Sequence, residues 1–259
     1  MTKFATAADG VRIAYEIAGA GAKTIVLVHG FASDRVQNWR APGWYQALQN
    51  IGYGVVALDC RGHGESGKPR DPAMYGHAKM AADAIAVMDD AGVGEAALMG
   101  YSMGGYIAMS LLLKHPRRFS RVIVGGVGAS YLDIAAAERG TASAARRGMI
   151  ADGLEAEDPS TIADRTVREF RAFADQGGKD RLALAACMRG NRDAFTRADL
   201  ARAARPVLVV CGENDALTGP PGPLAAAFPD GRAVTVPGRD HMLTVGDRVY
   251  KQAVADFLG

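Results

Sequence analysis

Residues 96–105, AALMGYSMGG, decide the fold. The first half is apolar almost without a break, as a strand buried on both faces must be. The second half, Gly100-Tyr101-Ser102-Met103-Gly104-Gly105, is a G-x-S-x-G pattern that runs into a helical stretch ending before Pro116. A serine at so sharp a strand-to-helix turn projects its hydroxyl above the sheet. Its backbone is strained, and the positions two before and two after it must be small. Gly100 and Gly104 are those positions. The following helix points free N–H groups and a partial positive charge at the same place, which suits an oxyanion. The competing reading of Ser102 is a simple cap of the helix that begins at Met103. The position between a buried strand and a helix favours a nucleophile.

The same grammar continues on both sides. Residues 24–29 (TIVLVH), 54–58 (GVVAL), 121–125 (RVIVG) and 207–211 (VLVVC) repeat the continuous apolar run, and 233–236 (AVTV) is a weaker case. Residues 11–18 alternate, as a half-exposed strand does, and can pair with 3–6 across Asp9-Gly10. Helical patterns at 78–91, 103–115 and 249–258 lie among them. Strands alternating with helices predict a mostly parallel sheet covered on both faces, an α/β fold. Residues 129–204 break the alternation. They hold no convincing strand and read as short helices separated by turns at Gly140, Gly148, Gly153, Gly177-Gly178 and Gly190. The expectation is a core of residues 1–128 and 205–259 with 129–204 inserted as a helical cap.

A serine hydroxyl needs a base, and the base an orienting acid. In the order Ser, Asp, His, both lie beyond Ser102, each after a later strand. Asp215 follows VLVVC, and His241 follows AVTV. His29 precedes the nucleophile, His63 sits in a glycine-rich loop, His77 opens a helix and His115 ends one. His241 alone has the order and the context. Glu213 and Asp240 are local rivals of Asp215, but a residue adjacent to His241 cannot easily turn its carboxylate onto the ring. The oxyanion needs two N–H donors. The amide of Met103 is one candidate; that of Phe31, in the loop after TIVLVH, is the other.

With 259 residues, about half of them apolar, the chain can build one sizeable core. A formal charge of +2 without a basic stripe argues against nucleic acid. The opening MTKFATAADG lacks the apolar run of a signal peptide, and no stretch reaches the ~20 apolar residues of a membrane helix. The expected setting is cytoplasmic. Cys60, Cys187 and Cys211 are an odd count without paired spacing, so buried thiols are expected rather than disulfides.

In LVHGF (27–31), LDCRGHGES (58–66), GYSMGG (100–105), GEND (212–215) and GRDH (238–241), the chain resembles the α/β-hydrolase superfamily. The resemblance implies an eight-stranded, mostly parallel sheet, a helical cap after the sixth strand, and neither metal nor organic cofactor. It makes His63 and Ser66 structural. Ser102 separates the chain from branches that use an aspartate nucleophile. The function expected is hydrolysis of a small or medium carboxylic ester or lactone through an acyl-enzyme. The partner is then a small-molecule acyl substrate, with the chain a monomer or homodimer. The same machinery also serves C–C bond hydrolases, thioesterases and perhydrolases, and some members of the superfamily only bind ligands. Tyr101, Trp39, Tyr131 and Met188 are the candidate pocket residues.

Overall fold

Side chains alternate across a strand, so a continuous apolar strand needs a core on each side. The computed structural model has that arrangement. It describes residues 1–132 and 141–259, with the backbone alone for 141–144. Eight strands, β1 (Lys3–Thr6), β2 (Arg12–Ala18), β3 (Lys23–Val28), β4 (Tyr53–Leu58), β5 (Ala96–Tyr101), β6 (Phe119–Gly125), β7 (Val207–Gly212) and β8 (Gly231–Val236), form one sheet in the order β1-β2-β4-β3-β5-β6-β7-β8. The ladders β1·β2 and β2·β4 are antiparallel and all others parallel, so β2 alone runs against the rest.

One face of the sheet presents Val26, Val28, Val56, Leu58, Leu98, Val122, Val124, Val207 and Val209. Against it pack α2 (His77–Asp90), through Met80, Ala84, Val87 and Met88, and α3 (Met103–Lys114), through Ile107, Ala108 and Leu111. The other face presents Ile25, Leu27, Val55, Ala57, Ala97, Met99, Ile123, Leu208 and Val210. It is covered by α1 (Trp44–Gln49) and the closing helix Arg248–Leu258, with Trp44, Leu48, Tyr250, Val254 and Phe257 turned inward. Each such side chain contributes roughly 1.5–3 kcal/mol by leaving water. The three cysteines are free and buried.

The strand expectations at 24–29, 54–58, 121–125, 207–211 and 233–236 all correspond to strands, with ends shifted by a few residues. The helical turn Val36–Arg40 and α1 had no counterpart in the sequence reading. They are short, and Gly43 separates them in a left-handed conformation (φ 82°) before α1.

Between β6 and β7 the described residues contain helices and no named strand: α4 (Thr141–Glu155), α5 (Arg165–Ala174), α6 (Arg181–Arg189) and α7 (Arg197–Leu200). The turns expected at Gly177-Gly178 and Gly190 are present, the first pair left-handed and Gly190 the C-cap of α6. The turn expected at Gly140 lies outside the described residues. Those expected at Gly148 and Gly153 are corrected, because α4 runs through both. Gly153 is there for close packing: a Cβ on it would stand 2.2 Å from Val167 Cγ1 of α5. Ile150, Leu154, Ile162, Val167, Leu184 and Met188 form a separate apolar cluster, which Ala32 and Phe31 of the sheet's loops join. Two shorter helices, α8 (Gly222–Ala225) and α9 (His241–Thr244), precede the closing helix, α10 (Arg248–Leu258).

Candidate active site

In a parallel sheet the loops after the strands gather along one edge, and the crevice where strand order reverses is where ligands bind. The order β4-β3-β5 places that reversal between β3 and β5. The loop after β3 carries Gly30 and Phe31, and the end of β5 leads into Ser102.

Ser102 has φ 52°, ψ −114°, one of two non-glycine residues with positive φ among those described; the other is Ala32 (φ 55°). Such a conformation persists only where neighbours impose it. The surroundings leave no room: a Cβ on Gly100 would stand 2.0 Å from Gly104 O, and one on Gly104 2.0 Å from Val28 O. The Ser102 side chain makes no capping hydrogen bond to α3, so it does not act as a simple helix cap.

Instead, Ser102 Oγ lies 3.0 Å from His241 Nε2, and His241 Nδ1 lies 2.7 Å from Asp215 Oδ2. A carboxylate can only accept, so Nδ1 carries the ring proton and Nε2 is free to accept from the Ser102 hydroxyl. Asp215 is held by the turn that follows it, whose Leu217 and Thr218 N–H groups donate to Oδ1 at 3.1 and 3.2 Å. Burial pushes the Asp215 carboxyl up. The hydrogen bond and charge of His241, together with Thr218, outweigh burial and hold it below the ordinary carboxylate value. Asp215 therefore stays ionised beside the ring at neutral pH. His241 opens α9, whose N-cap Asp240 accepts from Met242 and Leu243 N–H. Asp240 is thereby occupied, as its adjacency to His241 implied; Glu213 accepts from Gly238 N–H instead.

Ser102 and Gly30 are close neighbours: a Cβ on Gly30 would lie 3.4 Å from Ser102 Cβ. Gly30 N–H donates to Asn38 Oδ1 at 3.0 Å, and among the described residues no acceptor meets the Phe31 N–H. Met103 is the first residue of α3, where N–H groups lack intrahelical acceptors. Buried Arg35 pairs with Asp59 and Glu16, tying the loop after β3 to the end of β4 and to β2. Arg35, Asn38 and Thr218 were absent from the sequence reading. The Asp-x-x-Thr spacing at 215–218, an Asx-type turn, was the available signal for Thr218.

The four pocket candidates separate. Trp39 is corrected: it is fully buried on the far face of the sheet, edge-on to Trp44 with centroids 6.1 Å apart, because the turn Val36–Arg40 rotates it inward. Tyr131 is buried beside Tyr106, its hydroxyl accepting from Phe195 N–H at 2.9 Å. Met188 belongs to the helical cluster between β6 and β7. Tyr101 is buried with its ring 5.5 Å from that of His241.

Three histidines away from Ser102 are wholly buried. His29 Nε2 accepts from Cys60 N–H at 2.9 Å, and His63 Nδ1 donates to Arg61 O at 2.9 Å, so both brace loops under the site. Burial pushes His29, His63 and His77 down, His63 to about 3. Below the ordinary value of about 6.5 the unfolded chain takes up these protons first, so stability is intact above it and falls as pH drops. Urea midpoints should therefore fall steeply between pH 6 and 4; a midpoint unchanged over that range would contradict this burial.

The alpha/beta hydrolase fold family matches residues 23–172, more than half of the chain, and the chain belongs to that family. It is similar to the dihydrolipoyllysine-residue acetyltransferase component of the acetoin cleaving system of Pseudomonas putida, 28% identical over 256 residues, 93% of this chain and 65% of that one. The chain spans less than two thirds of the length of the curated relatives it matches first. Among solved structures, a hydrolase from Pseudomonas aeruginosa PA01 superposes with TM-score 0.75 at 28% identity, covering 100% of this chain and 98% of that one. The enol-lactonase from Burkholderia xenovorans LB400 superposes with TM-score 0.70 at 25% identity, covering 99% of each chain. No helix among the described residues is long and apolar enough to cross a membrane.

Proposed function

We propose that the chain is a serine hydrolase that cleaves a small or medium carboxylic ester or lactone through an acyl-enzyme. The observation that carries this reading is the hydrogen-bonded line Ser102–His241–Asp215 at 3.0 and 2.7 Å, with the serine on a strained turn. Ser102 Oγ attacks the substrate carbonyl and passes its proton to His241 Nε2. Ionised Asp215 holds the ring tautomer and stabilises the imidazolium. The tetrahedral oxyanion takes the N–H groups of Phe31 and Met103, each worth roughly 3 kcal/mol. His241 returns the proton to the leaving alcohol, then activates water, which attacks the acyl-Ser102 carbonyl and releases the acid. The likeness to an enol-lactonase supports the ester or lactone class. The helices between β6 and β7 act as a cap over the site, a role supported by their contact with Phe31 and Ala32, which follow Gly30 in the loop that adjoins Ser102.

A panel of nitrophenyl esters of graded acyl length, with simple lactones, tests the substrate class. Short and medium esters should show saturable turnover preceded by a burst of about one nitrophenol per chain. Turnover of thioesters or C–C substrates alone would replace the substrate class, and no turnover on any of them would overturn the reading.

A further inference from the structure

Tyr101 adjoins Ser102 in the chain, yet its side chain reaches the other partner of the pair. Its hydroxyl donates to the main-chain carbonyl of His241, and its ring lies 5.5 Å from the imidazole. The backbone around it is cut to fit. Gly126 adopts φ 61°, and a Cβ there would stand 2.9 Å from Tyr101 Cζ and 3.1 Å from His241 Cε1. A Cβ on Gly125 would stand 2.8 Å from Tyr101 Cδ2 and 2.1 Å from Tyr250 Oη. Two consecutive glycines at the end of β6 thus leave the space in which the tyrosine ring backs the histidine. His241 lies on a four-residue helix after the edge strand β8, anchored on its own side by the Asp240 cap. Across the gap, Tyr101 supplies a hydrogen bond from the nucleophile's own turn to that helix.

We propose that Tyr101 is a positioning residue, whose hydroxyl locks the backbone of His241 to the nucleophile turn and so sets the Ser102–His241 distance. The inference rests on the acyl-transfer reading above. Tyrosine suits the position because it spans from the end of β5 to the His241 carbonyl and ends in a donor. A phenylalanine fills the same space without the bond, leaving the histidine helix free to drift by the fraction of an ångström that proton transfer does not tolerate.

Tyr101→Phe and Gly126→Ala, compared with wild type, test this. For Tyr101→Phe, kcat on nitrophenyl acetate and the rate of Ser102 labelling by a fluorophosphonate should both fall about tenfold, with KM within twofold and thermal midpoint within a few degrees. Site-specific 3-fluorotyrosine at 101, which retains the hydroxyl, should restore both rates. Gly126→Ala reaches the same pair of rings by steric pressure and should also lower kcat more than it raises KM. Wild-type kcat in Tyr101→Phe would overturn the positioning role, whatever Gly126→Ala does. So would losses in which KM and thermal midpoint move as much as kcat, since these mark packing alone. Absence of labelling in the wild-type chain would instead overturn the acyl-transfer reading, which keeps the two failures apart.

Discussion

On the proposed acyl-transfer reading, Ser102→Ala should lower ester turnover by about six orders of magnitude in kcat while leaving the fold intact, because a nucleophile, base and acid that act as one unit lose their function together. The side chain is small and partly accessible, and it makes no capping bond whose loss would cost stability. Removing Oγ deletes the atom that attacks and leaves His241 with nothing to deprotonate at 3.0 Å. What should survive is the stabilisation expected from the proposed Phe31 and Met103 amide donors and from substrate binding, about 10³–10⁴ over water. The check is kcat on a short nitrophenyl ester alongside far-UV dichroism. A variant that keeps more than about a hundredth of wild-type kcat with native dichroism would contradict the assigned nucleophile.

Gly104→Ala has the largest expected effect on folding. Gly104 lies two residues into α3, where it meets the end of β3, and a Cβ would stand 2.0 Å from Val28 O, 2.6 Å from Val28 C and 2.8 Å from His29 O. All three neighbours are main-chain atoms at the end of β3 or of the residue just after it, so none can swing aside as a side chain would. The helix must lift off β3, and Ser102 moves with it. Overpacking usually costs 1–3 kcal/mol where side chains can adjust; a backbone clash at the centre of the sheet should cost about 3 kcal/mol or more and remove activity as well. Urea unfolding of the variant gives the number. A loss under about 1 kcal/mol with normal turnover would mean that α3 is not seated against β3 as described.

Both predictions concern residues, Ser102 and Gly104, that the sequence singled out, and the reason is periodicity. Runs such as TIVLVH and VLVVC are almost continuously apolar, so they fit strands covered on both faces, and five of them with intervening helices leave few alternatives. The juxtaposition of Ser102, Asp215 and His241 was legible because each follows a strand, the last a weaker run, in the order that brings them to one edge. Less was legible where burial rather than pattern decides. Trp39 is a pocket candidate by sequence although an aromatic at such a place is more often core, and the turn Val36–Arg40, itself too short to leave a periodic signature, sends it to the far face. Gly148 and Gly153 read as breakers because glycine lowers helix propensity, yet tertiary contact with α5 holds α4 together through both. The hydroxyl of Tyr101 could not be assigned from sequence, since its acceptor is a main-chain carbonyl 140 residues away.

The central claim is that Ser102 is an activated nucleophile, and intact-mass analysis after brief exposure to a fluorophosphonate tests it most directly. The account predicts a single phosphonyl adduct on wild-type chain, mapped to Ser102, absent from Ser102→Ala and slowed at least a hundredfold in His241→Ala. An unlabelled wild-type chain, or an adduct that persists in Ser102→Ala, would contradict it.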